Sequence, residues 1–251
     1  MKKSLNLLAR LAERGAPPRC AVVIVAAGSA RRMEGVDKVV ADVAGKPLIL
    51  RTALAFERCK VVQEIVVVTR EDLRVRLERM LPAGGVSKLK AVVAGGETRA
   101  DSVERGIACC DPKCRLIAVH DGARPLVTQR VIAEAIRCAA HSGAAAPAVP
   151  VKDTIRVVEN EIGIETPDRS RLYAIQTPQV FDADLLRAAT LRVKEKKLPV
   201  TDDCSAVEAL GKKVSITAGD EENLKVTTQI DLAVAGMLAK RRDEDENRSR
   251  L

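Results

Sequence analysis

Several short stretches of this 251-residue chain carry the residue types that grip phosphate. Ala26-Ala27-Gly28-Ser29-Ala30-Arg31-Arg32-Met33 sets small residues ahead of two arginines, and Lys38 follows shortly after. Small residues let backbone N–H groups approach phosphate oxygens. Fixed cations suit a triphosphate whose leaving pyrophosphate gathers charge. The same residues also fit a plain strand-to-helix turn with solvated arginines. The stretch lacks the glycine spacing of a dinucleotide fingerprint. Gly45-Lys46-Pro47 is no P-loop, because the upstream glycine is missing and Pro stands where Ser or Thr is needed. Gly95-Gly96-Glu97-Thr98-Arg99-Ala100-Asp101-Ser102-Val103 offers two more glycines for close approach, with Asp101 or Ser102 able to cap a helix. His120-Asp121-Gly122-Ala123-Arg124-Pro125 sets an acid three residues ahead of a cation. That suits either a Mg²⁺-holding carboxylate beside phosphates or an Asp–Arg pair stabilising a turn. In Asn223-Leu224-Lys225-Val226-Thr227, Lys225 can meet a charged transition state or simply face outward from a strand. Asp231 has capping-box spacing from Thr228 and reads as structural.

Composition narrows the chemistry. With only His120 and His141 in the chain, a histidine-based metal site or a Ser/His/Asp triad is improbable. There is no Trp, one Tyr and two Phe, too few aromatic faces for a base-stacking platform. Of the net charge of +8, half precedes the first strand, so a nucleic-acid-binding module is disfavoured. Seven cysteines fall mostly among apolar residues, the pattern of buried thiols in a reducing compartment, and the expected location is cytoplasmic. Cys109, Cys110 and Cys114 lack a second ligand pair at zinc-finger spacing. No apolar run approaches the ~20 residues of a membrane span.

These loops need elements to hold them, and the apolar runs provide a plan. Cys20 to Ala26, Ile65 to Thr69, Ala91 to Ala94 and Leu116 to Val119 read as strands buried on both faces. Helical spacing follows each of the first two, at Ile49, Ala53 and Phe56 and at Leu73, Leu77, Met80 and Leu81. A further helix is capped by Thr128 and stopped by Gly143. The alternation predicts an α/β fold, a Rossmann-like, mostly parallel twisted sheet flanked by helices. In such sheets ligands bind at the carboxyl ends of the strands, where Gly28 to Met33, Gly95 to Ser102 and His120 to Pro125 would converge. After Pro150 the pattern changes. Val151 to Val158, a turn at Glu159 to Gly163, and Ile164 to Thr166 read as a projecting hairpin. The expected organisation is a basic extension over 1–18, one domain over 19–240 with an arm over about 151–172, and a charged tail over 241–251 that frays.

In this order, eight segments resemble the 2-C-methyl-D-erythritol 4-phosphate cytidylyltransferase family of the non-mevalonate isoprenoid pathway. They are Ala26-Ala27-Gly28-x-x-Arg31-Arg32-Met33, Gly95-Gly96-x-x-Arg99-x-x-Ser102-Val103, His120-Asp121-x-Ala123-Arg124-Pro125 and Val151-Lys152-Asp153-Thr154, then Asp168-Arg169, Gln176-Thr177-Pro178-Gln179, Thr201-Asp202-Asp203-x-Ser205-Ala206-x-Glu208 and Asn223-x-Lys225-Val226-Thr227. The resemblance implies a nucleotide-diphospho-sugar-transferase type of fold and transfer of CMP from CTP to a polyol phosphate, with Mg²⁺. It implies that Arg32, Lys38 and Lys225 act on the triphosphate. Ala26, Ala27, Gly28, Gly96, Ser102, Asp121 and Gly122 would seat the nucleotide, and Asp121 would also hold the metal. Arg124, Lys152, Thr154, Arg169, Thr177 and Asp202 would serve the acceptor. It further implies a homodimer in which the arm crosses to the partner's site, and no nucleic-acid or membrane partner. The chain departs from the family at Ala30, where Gly is common, and at Asp37-Lys38-Val39, where Pro-Lys-Gln is common. A ribitol 5-phosphate cytidylyltransferase, which shares the CTP half, and a catalytically inactive relative are the alternatives.

Overall fold

The computed structural model describes residues 19–28 and 37–248. Strand β1 (Cys20–Ala26) is the centre of an eight-stranded sheet. It pairs in parallel with β4 (Val62–Thr69) on one side and β6 (Leu116–Asp121) on the other. β4 then pairs in parallel with β5 (Leu89–Ala94). The residues of β1 alternate between two cores: Cys20, Val22, Ile24 and Ala26 enter one, Ala21 and Val23 the other. An apolar run without polar alternation is therefore what this position demands. The first core is closed by α1 (Leu48–Glu57), α2 (Glu71–Ala83) and α4 (Gln129–Ser142). The second is closed by α3 (Arg99–Ala108), α5 (Ala183–Lys196) and α6 (Asp203–Glu208).

Beyond β6 the sheet turns mixed. β11 (Gln179–Asp182) runs antiparallel between β6 and β7 (Ala144–Pro150), and β10 (Tyr173–Ile175) also pairs antiparallel with β7. β12 (Ser215–Ala218) returns parallel to β7. The mostly parallel α/β sheet expected from the alternation is thus present. A two-stranded ribbon, β2 (Asp42–Val43) with β3 (Lys46–Pro47), leads into α1. β8 (Val157–Glu159) and β9 (Ile162–Glu165) form a separate hairpin whose side chains are all exposed, in the place where the pattern change predicts an arm.

Two local expectations are adjusted. The N-cap of α3 is Thr98, with Asp101 as its capping-box partner: the Thr98 side chain accepts from the Asp101 amide while the Asp101 carboxylate accepts from the Thr98 amide. The tail does not fray at Lys240, because α7 (Gln229–Arg248) runs on to Arg248, the last described residue. Its charges are spent on the body: Arg242 binds Glu222 and the Leu126 carbonyl, Asp243 forms a 2.7 Å pair with Arg51, and Glu246 meets Arg58. Ala235 and Ala239 of the same helix bury against Val43, Leu48, Leu126 and Val226.

Candidate functional site

The strand order reverses at β1, whose chain proceeds to β4 on one side and returns to β6 on the other. Such a switch point opens a crevice at the carboxyl ends of the strands. Here the crevice is a cavity of about 420 Å³ lined by Ala26, Ala27 and Gly28 after β1, by Gly96, Thr98, Arg99 and Ser102 after β5, and by Asp121, Gly122, Lys38 and Lys225. Of the residues expected to hold the nucleotide or act on it, the described ones converge here. Arg31, Arg32 and Met33 lie outside the described residues.

Small residues are obligatory in the floor. A Cβ on Gly95 would stand 2.3 Å from the Ala27 Cβ, and one on Gly96 would stand 2.2 Å from the Asp101 Cβ. The Ser102 hydroxyl accepts from the Gly96 amide at 3.1 Å and donates to the Thr98 carbonyl at 3.0 Å, so the glycine loop is tied to the first turn of α3. The Gly122 amide donates to the Val25 carbonyl, and its own carbonyl accepts from Thr52 Oγ1 at 2.9 Å. Lys38 sits in a turn whose Asp37 carboxylate accepts from the Val39 amide and pairs with Arg70. Asp37, a departure from the family pattern, thus anchors the turn that presents Lys38.

Asp121 is the electrostatic centre. Its Oδ2 lies 2.9 Å from Lys225 Nζ and 3.6 Å from Arg124 Nε, and its Oδ1 lies 3.8 Å from an Arg99 nitrogen. Burial works to raise this carboxyl, but Lys225, Arg99 and Arg124 outweigh it and hold it below the ordinary carboxylate range. Lys225 is fixed between two buried neighbours. Val226 donates its amide to the Ala123 carbonyl, and Asn223 donates its side-chain amide to the Thr177 carbonyl at 3.0 Å. Asp231, beyond its capping role, accepts from both the amide and the hydroxyl of Thr227.

Beneath Asp121 lies a network centred on the fully buried His120. His120 Nε2 faces the Arg124 carbonyl at 3.2 Å, an acceptor only, so Nε2 carries the proton. Nδ1 then accepts from the Thr177 hydroxyl at 2.9 Å, whose oxygen in turn accepts from the Asp121 amide at 3.1 Å. Burial pushes the imidazole down to about 4. Arg124 is a strut here, donating to the Asn223 carbonyl at 2.6 Å. Thr177 and Arg124 therefore support Asp121 from below.

The other acceptor candidates lie elsewhere. Asp202 caps α6, accepting from the Ser205 amide and from Gln179 Nε2, and lines a neighbouring cavity of about 440 Å³. Lys152, Thr154 and Arg169 are exposed on and around the arm: Lys152 pairs with Glu221, and Arg169 donates to the Lys152 carbonyl. None of these three lines this chain's own Asp121 cavity. Sequence reasoning gave no role to Arg99 and Asp203, which form a 2.7 Å pair at the cavity wall. The doubled acid in Thr201-Asp202-Asp203 was the available signal.

Comparison with known proteins finds relatives along most of the chain. The family described as 2-C-methyl-D-erythritol 4-phosphate cytidylyltransferase matches residues 20–241. A protein of that name from Caldanaerobacter subterraneus subsp. tengcongensis is 44% identical over 222 residues, covering 87% of this chain and 98% of the relative. Another from Dehalococcoides mccartyi strain CBDB1 is 42% identical over 221 residues, covering 87% and 95%. Among solved structures, the 4-diphosphocytidyl-2C-methyl-D-erythritol synthase of Anaerococcus prevotii superposes with a TM-score of 0.80 at 28% identity, covering 89% of this chain and 99% of that one. The 2-C-methyl-D-erythritol 4-phosphate cytidylyltransferase of Thermus thermophilus gives 0.73 at 32%, covering 88% and 99%.

Proposed function

Because the chain belongs to the 2-C-methyl-D-erythritol 4-phosphate cytidylyltransferase family, we propose that it joins CMP from CTP to the phosphate of 2-C-methyl-D-erythritol 4-phosphate and releases pyrophosphate. The observation that carries this reading is the cavity at the switch point, where a small-residue floor faces Lys38, Lys225 and the cation-ringed Asp121. An oxygen of the acceptor phosphate forms a bond to the α-phosphorus of CTP while the bond to pyrophosphate breaks. The acceptor is already an anion, so no strong general base is required. A buried imidazole held neutral and occupied on both nitrogens is consistent with that economy. The difficulty is bringing two polyanions together, which positioning and fixed cations overcome. Lys38 and Lys225 supply those cations, and Arg32 is assigned the same task from the resemblance.

The donor set fits Mg²⁺. Among the described residues no three His, Cys, Asp or Glu side chains are placed to hold a metal together. A single carboxylate beside a phosphate cavity suits an ion that keeps water and takes substrate oxygens. Asp121 would hold it, and bound Mg²⁺ would neutralise phosphate charge. The arm carries the acceptor candidates Thr154 and Arg169 away from this chain's own cavity and exposes Val158 and Ile162 at 57% and 67%. These features support a homodimer in which each arm serves the partner's site. No described helix is long and apolar enough to cross a membrane. Pyrophosphate release with CTP, Mg²⁺ and 2-C-methyl-D-erythritol 4-phosphate tests the reading; release only with ribitol 5-phosphate would overturn it.

A further inference from the structure

We propose that Asp203 is a positioning residue that holds the Arg99 guanidinium off Asp121 and so keeps Asp121 Oδ1 open to an incoming cation. This rests on the reading of Asp121 as the metal-holding carboxylate. The two oxygens of Asp121 differ. Oδ2 faces Lys225 at 2.9 Å and Arg124 at 3.6 Å, whereas among the described residues the cation nearest Oδ1 is Arg99, at 3.8 Å. That distance is too long for a hydrogen bond. The same Arg99 nitrogen lies 2.7 Å from Asp203 Oδ2.

The competition is settled by how Asp203 is held. It is 5% exposed at the start of α6. Its amide and that of Cys204 both donate to Gln179 Oε1 at 3.0 Å, while Gln179 Nε2 donates to Asp202. A side chain of β11 thus fixes the backbone from which Asp203 projects. A carboxylate buried there needs a cation. Arg99, anchored at the first position of α3, is its cation partner among the described residues. Were Asp203 neutral, the guanidinium would gain by turning to the nearer remaining anion, Asp121 Oδ1. A fixed cation at that oxygen opposes a divalent ion by both occupancy and charge. The bridge Asp121···Arg99···Asp203 also joins the wall shared by the nucleotide cavity and its 440 Å³ neighbour, since Arg99 lines both.

The test separates metal from nucleotide. Water-proton relaxation enhancement gives the affinity of the full-length protein for Mn²⁺–CTP, and equilibrium dialysis with EDTA gives that for metal-free CTP. Their ratio isolates the metal. D203N is expected to lower the ratio about 10–100-fold, the usual effect of losing a support behind a metal ligand. R99Q/D203N removes the competitor and the need to restrain it, and should return the ratio most of the way to wild type. R99Q alone should keep the ratio at or above wild type, and it stands as a test should D203N fail to fold. A structural role alone would make the double variant no better than D203N. That result, an unchanged ratio in D203N, or a collapse of the ratio in R99Q would overturn the inference. D121N separates the two readings: a wild-type ratio there sinks the metal assignment and this inference together. Loss in D121N without loss in D203N sinks only this inference.

Discussion

Replacing Lys225 with alanine removes the Nζ that lies 2.9 Å from Asp121 in the wall of the cavity proposed to take CTP. The consequence divides cleanly between stability and catalysis. Its side chain is 45% exposed, so the ion pair is screened and contributes at most about 1 kcal/mol to folding. Asp121 keeps Arg124 at 3.6 Å and Arg99 at 3.8 Å and is not left uncompensated. Val226 and Asn223 hold the loop through their own buried contacts, so the backbone stays in place. In the proposed role of Lys225 the transition state loses more. A preorganised donor aimed at developing charge is typically worth about 10²–10³ in rate, or about 2.7–4 kcal/mol. We therefore expect K225A to melt within a few degrees of wild type while kcat/KM falls about 10²–10³. K225R, which keeps the charge with a different shape, should recover part of the loss. Steady-state pyrophosphate release and thermal unfolding on the same preparations give both numbers. A near-normal kcat/KM in K225A would refute the role. A large drop in melting temperature with proportionate loss of activity would show that the lysine is a structural strut.

Other expectations follow from the same geometry. G95A drives a Cβ to 2.3 Å from that of Ala27, where ordinary contact begins at 3.4 Å; the shift of about 1 Å should cut kcat/KM by up to about 10², readable in the same assay. T177V deprives the Asp121 amide and His120 of their common partner, and should cost about 1–3 kcal/mol in urea unfolding, with T177S largely restoring it. His120 has a folded-state value of about 4 against 6.5 when exposed, so the unfolded chain binds the extra proton between those values. Its contribution is full above pH 6.5 and falls by about 3 kcal/mol on acidification to pH 4; H120N should flatten that part of the stability–pH curve. Charged replacement of Ile162, 67% exposed on the arm, should break the proposed homodimer into monomers in sedimentation velocity.

How much of this was legible in the sequence depends on the kind of signal. The buried strands were plain, because a strand covered on both faces must be apolar throughout, as Val22 to Ile24 are. Gly143 was plain for a different reason: its φ of +83° is strained for other residues. β11 was hidden because it is four residues long and begins with Gln179, a buried polar residue whose purpose lies in capping α6. The charged tail misled, since Arg242 and Asp243 look solvated until their partners Glu222 and Arg51, far away in the chain, are in place. At the site, glycines and cations marked the loops, but only the fold showed which side chains meet. Asp101 and Asp202 proved to hold helix ends. Arg99 and Asp203, separated by more than a hundred residues, carried no sign of their pairing.

One rate measurement tests the cytidylyltransferase reading most directly. Purified protein with CTP and Mg²⁺ is given either 2-C-methyl-D-erythritol 4-phosphate or ribitol 5-phosphate, and pyrophosphate release is followed. Rapid release is expected with the methylerythritol acceptor, abolished by EDTA, and little with ribitol 5-phosphate. Preferential release with ribitol 5-phosphate, or no release with either, would contradict it.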